Sequence, residues 1–224
     1  MITRSQAWPT ATRRRGALAA ILFLAIGTDA YMDPAVGGWT ILTGYVGPWW
    51  DPVSNLIHIA LMSGALLLLG PRSWPGVVGR RITPGWAAIA VATGLLGALG
   101  SLGYGLLAHA VAPPQMRAPG QVFYWLPAWL SMTLLGPLME EYVFRGLLWE
   151  AARRVAPPAL TILFTALTFA LGHGPEMVGS FPFLAAYGLA LGVLRQRSGG
   201  IGAPFLAHSV TNVGVLGFVW LQFV

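Results

Sequence analysis

The chain has 224 residues, of which 56% are hydrophobic and only 9% charged, against roughly 25% charged in an ordinary soluble domain. A water-soluble globular protein is thereby excluded, and because a bilayer-crossing helix takes ~20 apolar residues, the length suits one compact bundle without a separate soluble domain. The chain has no cysteine, and its thirteen basic residues, which set the net charge of +6, are all arginine, so disulfides, thiolate zinc sites and Schiff-base chemistry are all ruled out.

Four arginines (Arg4, Arg13, Arg14 and Arg15) precede the first apolar run. No small-x-small cleavage site comes before Asp29 and further spans follow, so this run reads as an uncleaved first helix. Apolar runs bounded by Pro, Gly or Arg predict helices over about 16–33, 53–70, 85–112, 121–152, 158–173, 180–195 and 200–224. The first connection, Pro34 to Pro52, carries Trp39, Tyr45, Trp49 and Trp50, as suits a segment at headgroup level. Gly94 to Gly105 in the third run reads as a close helix contact.

Arginines alternate with this count. Arg4 to Arg15, then Arg72, Arg80 and Arg81, then Arg153 and Arg154, then Arg195 and Arg197 fall on one side; Arg117 falls on the other, and Arg145 lies inside a span. Cytoplasmic loops hold the positive charge. The expected fold is therefore all-α, a polytopic membrane helix bundle of about seven transmembrane helices. Its N-terminus is cytoplasmic and its C-terminus outside, with residues 1–224 forming a single integral domain of the cell (inner) membrane. The charge belongs to topology, with no nucleic-acid partner expected. No internal repeat supports an inverted-repeat transporter.

Ionisable groups at membrane depth cost several kcal/mol and are functional candidates by default. Glu140, Glu141 and Arg145 lie mid-span in the fourth run. Glu141 and Arg145 are spaced i, i+4 in the favourable order for an ion pair, which can serve a structural purpose or take part in catalysis. Glu140 is turned ~100° away and faces Gly136 and Pro137 one turn back, a direction that leaves space. The fifth run ends with Phe169 and His173, and the seventh places His208 and Asn212 side by side at i, i+4. Counting ~1.5 Å per residue puts His173 higher in the membrane than Glu140 and His208. His58, beside Asn55, is placed to reach the space beside Glu140 but reads first as a satisfied core histidine, and His109 reads as interfacial; Asp29, Asp33, Asp51 and Glu176 read as solvated. Phe169 reads as packing.

Glu140-Glu141-x-x-x-Arg145, Phe169-x-x-x-His173 and His208-x-x-x-Asn212 resemble, in order, the three motifs of the CPBP family, the CAAX proteases and bacteriocin-processing enzymes also called Abi proteins. Phe144-Arg145-Gly146, and the stretch from Gly188 and Gly192 through Pro204, are similar to that family as well. The resemblance covers about residues 121–212, the motif-bearing catalytic core. It implies an intramembrane endopeptidase in which Glu140, with His173, activates a water, while His208 and Asn212 form an oxyanion hole and Glu141, Arg145 and Phe169 support the site. The chemistry fits those roles. Burial of a carboxylate suits it to general-base work, and an imidazole and an amide one turn apart can both donate to one oxyanion.

Two alternatives remain at this level. One is a zinc-dependent protease with the metal on Glu140, His173 and His208; the metal-free version needs no cofactor. The other is a catalytically inactive immunity or scaffold protein whose polar residues only join helices. Rhomboid-like serine chemistry lacks a G-x-S-x-G candidate. The expected partners are the lipid bilayer and a membrane-associated peptide or protein substrate. Among a prenylated tail, a bacteriocin or leader peptide and a C-terminal sorting tail, the arginine-only composition, typical of a GC-rich bacterial genome, favours the latter two.

Overall fold

A computed structural model describes Gly16 and residues 50–69, 74–107, 126–127, 129–173 and 175–221. The expected first helix beyond Gly16, most of the Pro34 to Pro52 connection, His109, Asp29, Asp33 and Arg4 to Arg15, Arg72 and Arg117 lie outside the described residues, as do the side chains of Asp51 and Glu176. Among the described residues all regular structure is helical, apart from one isolated antiparallel bridge between Gly79 and Gly200.

The second and third predicted runs appear as α1 (Trp50–Leu69) and α3 (Pro84–Leu107). Between them lies a one-turn helix, α2 (Trp74–Val78), too short for its apolar pattern to have announced it. Proline opens α3, where its missing N–H costs nothing, and Thr83 Oγ1 accepts from the Trp86 N–H at 3.4 Å. The fourth run is not one regular helix. Two π-helical segments, Ser131–Leu135 and Glu141–Leu148, flank α4 (Gly136–Glu140), and α5 (Trp149–Ala152) ends the series. The last three runs are α6 (Pro158–Leu171), α7 (Phe181–Ser198, after a 3-10 turn at Pro175–Ser180) and α8 (Gly202–Leu221). Helix α7 stops at Gly199, whose φ of 75° is left-handed and whose N–H returns to the Arg195 carbonyl, the glycine C-terminal stop.

The most extensive packing is α3 on α8 and α6 on α7. Glycine makes both possible. A Cβ on Gly94 would lie 2.5 Å from the Ala207 carbonyl oxygen of α8, one on Gly97 2.6 Å from Thr211 Oγ1, and one on Gly188 of α7 3.1 Å from Ala166 of α6. The expected close contact along Gly94 to Gly105 therefore holds at Gly94, Gly97 and Gly100, whereas Gly103 and Gly105 face open space.

The bundle is apolar on its outer face and holds its buried polar groups within a largely apolar core. Helix α6 exposes Leu160, Leu163, Leu167 and Leu171 while burying Thr161 and Thr165, and α3 exposes Leu95, Leu96 and Leu99. In water such a surface would be an association hazard; in lipid it is the favourable outer face. The stretches Pro84–Gly105 and Val178–Ser198 are long and apolar enough to cross a bilayer.

Six of the seven described arginines gather at one end. The loop carrying Arg80 and Arg81 is tied to the α7–α8 turn by Arg80 N–H to Gly199 O (2.9 Å) and Ile201 N–H to Val78 O (3.0 Å). Arg195 donates to the Gly76 carbonyl, and Gly76 lies against Glu150 and Arg153. The arginine-bearing loops after α2, α5 and α7 thus share one end of the molecule. Tyr104 and Gly179, joined by a hydrogen bond, mark the other end.

Candidate active site

The two π segments decide how the acidic motif is presented. In the first, the Gly136 N–H bonds to Ser131 O, five residues back. Met132 O consequently loses its α-helical partner, and the residue one further on is Pro137, which has no N–H to offer. The Asn212 side chain fills that vacancy, donating through Nδ2 to Met132 O at 2.7 Å. The second segment repeats the device: the Trp149 N–H bonds to Phe144 O and Gly146 O, bypassing Arg145 O, which instead accepts from Arg195 Nε at 2.8 Å. Such π turns are rare and are found mostly at functional sites. Here side chains of α7 and α8 satisfy backbone carbonyls of the broken helix.

Glu141 and Arg145 form the expected pair, Nη1 to Oε1 at 3.0 Å, both wholly buried. Arg145 Nη2 also donates to Gly188 O at 3.1 Å, and its guanidinium lies 4.4 Å from the Phe169 ring centroid, a cation–π contact. The pair has a third member that spacing did not reveal. His208 Nδ1 stands 2.9 Å from Glu141 Oε1, while its Nε2 points toward Glu140 Oε2 at 3.9 Å. His208 therefore sits between the two carboxylates. With Nδ1–H donated to Glu141, its Nε2 can serve as a donor only in the imidazolium form.

Glu140 has no arginine. Its Oε2 is buried and has no hydrogen-bond partner among the described residues. Buried polar atoms are rarely left so, and the carboxylate lies on the wall of a cavity of about 430 Å³. His173, His208, Asn212 and Phe169 share that wall, as do Gly136 and Pro137, the small neighbours expected to leave room beside Glu140. The depth difference counted for His173 does not separate it from the others: His173 follows the end of α6, its Nδ1 lies 2.8 Å from Phe169 O, and its ring packs edge-on at 4.7 Å against Phe169. Phe169, almost wholly buried, also meets His208 and Phe144 edge-on, so it spaces the two histidines as well as packing.

The cavity also takes in residues outside the three motifs. His58 reaches and lines it, as do Asn55 and Ser131, which are hydrogen-bonded to each other at 2.9 Å. On another side Tyr187 Oη and Thr211 Oγ1 lie 2.6 Å apart, and Thr211 donates to Gly94 O. Among the described residues no three His, Asp or Glu side chains come together to hold a metal ion.

Comparison with known proteins bears on this same segment. No curated protein and no solved structure matches the chain. Residues 122–214 match the family model of the type II CAAX prenyl endopeptidase Rce1-like proteins, a range that begins before the first π segment and ends just past Asn212. The resemblance carried by the three motifs is thereby borne out over the site-bearing part of the chain, which is similar to the Rce1-like family.

Proposed function

We propose that the chain is an intramembrane endopeptidase of the inner membrane that hydrolyses a peptide bond near the C-terminus or leader of a membrane-associated protein. The observation that carries this reading is the convergence of Glu140, His173, His208 and Asn212 on one cavity, with a Glu140 oxygen buried there and lacking a hydrogen-bond partner among the described residues. A water in that cavity would pass its proton to Glu140 as its oxygen bonds to the scissile carbonyl carbon, with His173 holding the water. The oxyanion would be met by His208 Nε2 as imidazolium and by the second Nδ2 proton of Asn212, the first being committed to Met132 O. When the C–N bond breaks, Glu140 returns the proton to the leaving amine. Glu141, Arg145 and Phe169 hold this arrangement in place. The reading needs no metal and no nucleic acid.

The test uses the full chain in neutral detergent with two fluorogenic peptides, one ending in a prenylated CAAX tail, as the matched family's description suggests, and one ending in an unprenylated hydrophobic tail. We expect one of them to be cleaved, with Glu140→Gln lowering the rate by about 10²- to 10⁴-fold and chelator leaving the native rate unchanged. Cleavage that survives in Glu140→Gln contradicts the role of Glu140, and cleavage lost to chelator returns the zinc version.

A further inference from the structure

A second cavity, of about 600 Å³, opens at the arginine-bearing end and is lined by Arg80, Trp149, Arg153, Arg195, Gln196 and glycines of two loops. Its frame is fixed. Gly79 and Gly199 both hold left-handed φ values, 74° and 75°, and the loops they belong to are joined by the Gly79–Gly200 bridge. Added Cβ atoms at Gly79 and Gly200 would strike the opposite backbone at 2.2 Å, so the loops meet this closely only because both positions are glycine. Arg195 belongs to the wall: it is buried, donates to Arg145 O and Gly76 O, and lies against Trp149.

Arg80 and Arg153 are different. Arg80 is exposed, and the Arg153 side chain is 47% exposed although it touches Glu150. Glu150 is shared with Arg154 at 3.1 Å, and Arg80 adds an exposed guanidinium to the same hollow. Beside these arginines the surface is apolar: Val78, Ile82 and Val155 are exposed next to Arg80, Arg81 and Arg154. A cationic hollow with an apolar rim, at the end of helices with lipid-facing leucines, has the chemistry of a phospholipid at the edge of the bilayer. The guanidinium fork matches phosphate oxygens, basic hollows between spans take anionic headgroups, and a free phosphate would leave the apolar rim unused.

We propose that this cavity binds the headgroup phosphate of an anionic phospholipid through Arg80 and Arg153, with the acyl chains running over Val78, Ile82 and Val155. The site lies apart from the Glu140 cavity and stands whether or not the chain is a protease.

The test follows thermal unfolding of the full chain in neutral detergent as phosphatidylglycerol, phosphatidylcholine or inorganic phosphate is added. Phosphatidylglycerol should raise the midpoint in a saturable way, and the other two should not. Each arginine removed should weaken the apparent lipid affinity about fivefold, so the Arg80→Gln, Arg153→Gln double variant loses ~25-fold. Arg197→Gln, at the same end but off the cavity, should respond like the native chain. Glu150 keeps Arg154 in the double variant; if that variant still fails to fold, Arg80→Gln alone carries the test with its fivefold loss. An unchanged response in the Arg80 and Arg153 variants overturns the proposal. So does an equal loss in Arg197→Gln, which indicates a diffuse charge effect, or a shift reproduced by inorganic phosphate, which indicates a free-anion site.

Discussion

Glu140 and Glu141 are adjacent in sequence, and each has one buried oxygen without a hydrogen-bond partner among the described residues, but only Glu141 is paired with an arginine. Glu141 is wholly buried and bonded to Arg145 and His208, so Glu141→Gln leaves a buried guanidinium without its counter-charge, at a cost of about 3–5 kcal/mol. We expect a lower unfolding midpoint for that variant. Glu140 has no arginine partner among the described residues, its nearest cationic group being His208 Nε2 at 3.9 Å, and Glu140→Gln should leave the midpoint unchanged or raised, because removing the charge relieves a desolvation cost. Differential scanning fluorimetry on the two variants checks the contrast; equal losses would mean that Glu140 is structural too. The Glu141–Arg145 pair and the aim of Glu140 were legible because they depend on spacing along one helix. The contact of His208 with Glu141 was not, since it joins residues 67 apart through the rotation of α8 against the broken helix, which no local pattern encodes.

At the scale of the elements, six of the predicted apolar runs correspond to described helical segments because lipid-facing and core-facing residues are both apolar, and length alone marks a span. The same uniformity hid the π turns. Pro137 was the available signal: a proline inside a span must leave a carbonyl without its N–H, and Asn212 proves to be the group that answers it. Helix contacts through glycine were readable as a tendency and not position by position. Gly94→Ala pushes a methyl onto the Ala207 carbonyl and should destabilise by about 1–3 kcal/mol. Gly103→Ala, with nothing within 4 Å among the described residues, should be neutral or stabilise by up to ~1 kcal/mol through helix propensity. Thermal unfolding of this matched pair tests the packing of α3 on α8; equal midpoints would contradict it.

For the molecule as a whole, the arginines were the most legible feature, because loop charge sets orientation without reference to tertiary contacts. The structure gathers Arg80, Arg81, Arg153, Arg154, Arg195 and Arg197 at one end, with Gly179 at the other. Since the chain has no cysteine, single cysteines report their own side of the membrane. Arg197→Cys should react with an impermeant maleimide only when the cytoplasmic face is exposed, and Gly179→Cys only from the opposite face. Labelling of both from one side would contradict the orientation.

The claim on which the rest depends is that Glu140 and His173 act on one water in one cavity. A double-mutant comparison of cleavage rates for Glu140→Gln, His173→Asn and the two combined tests it most directly, because residues working as a unit are strongly non-additive. The account predicts that the combined variant is no more than about tenfold slower than the slower single variant. Losses that multiply, or a single Glu140→Gln that cleaves at the native rate, would contradict it.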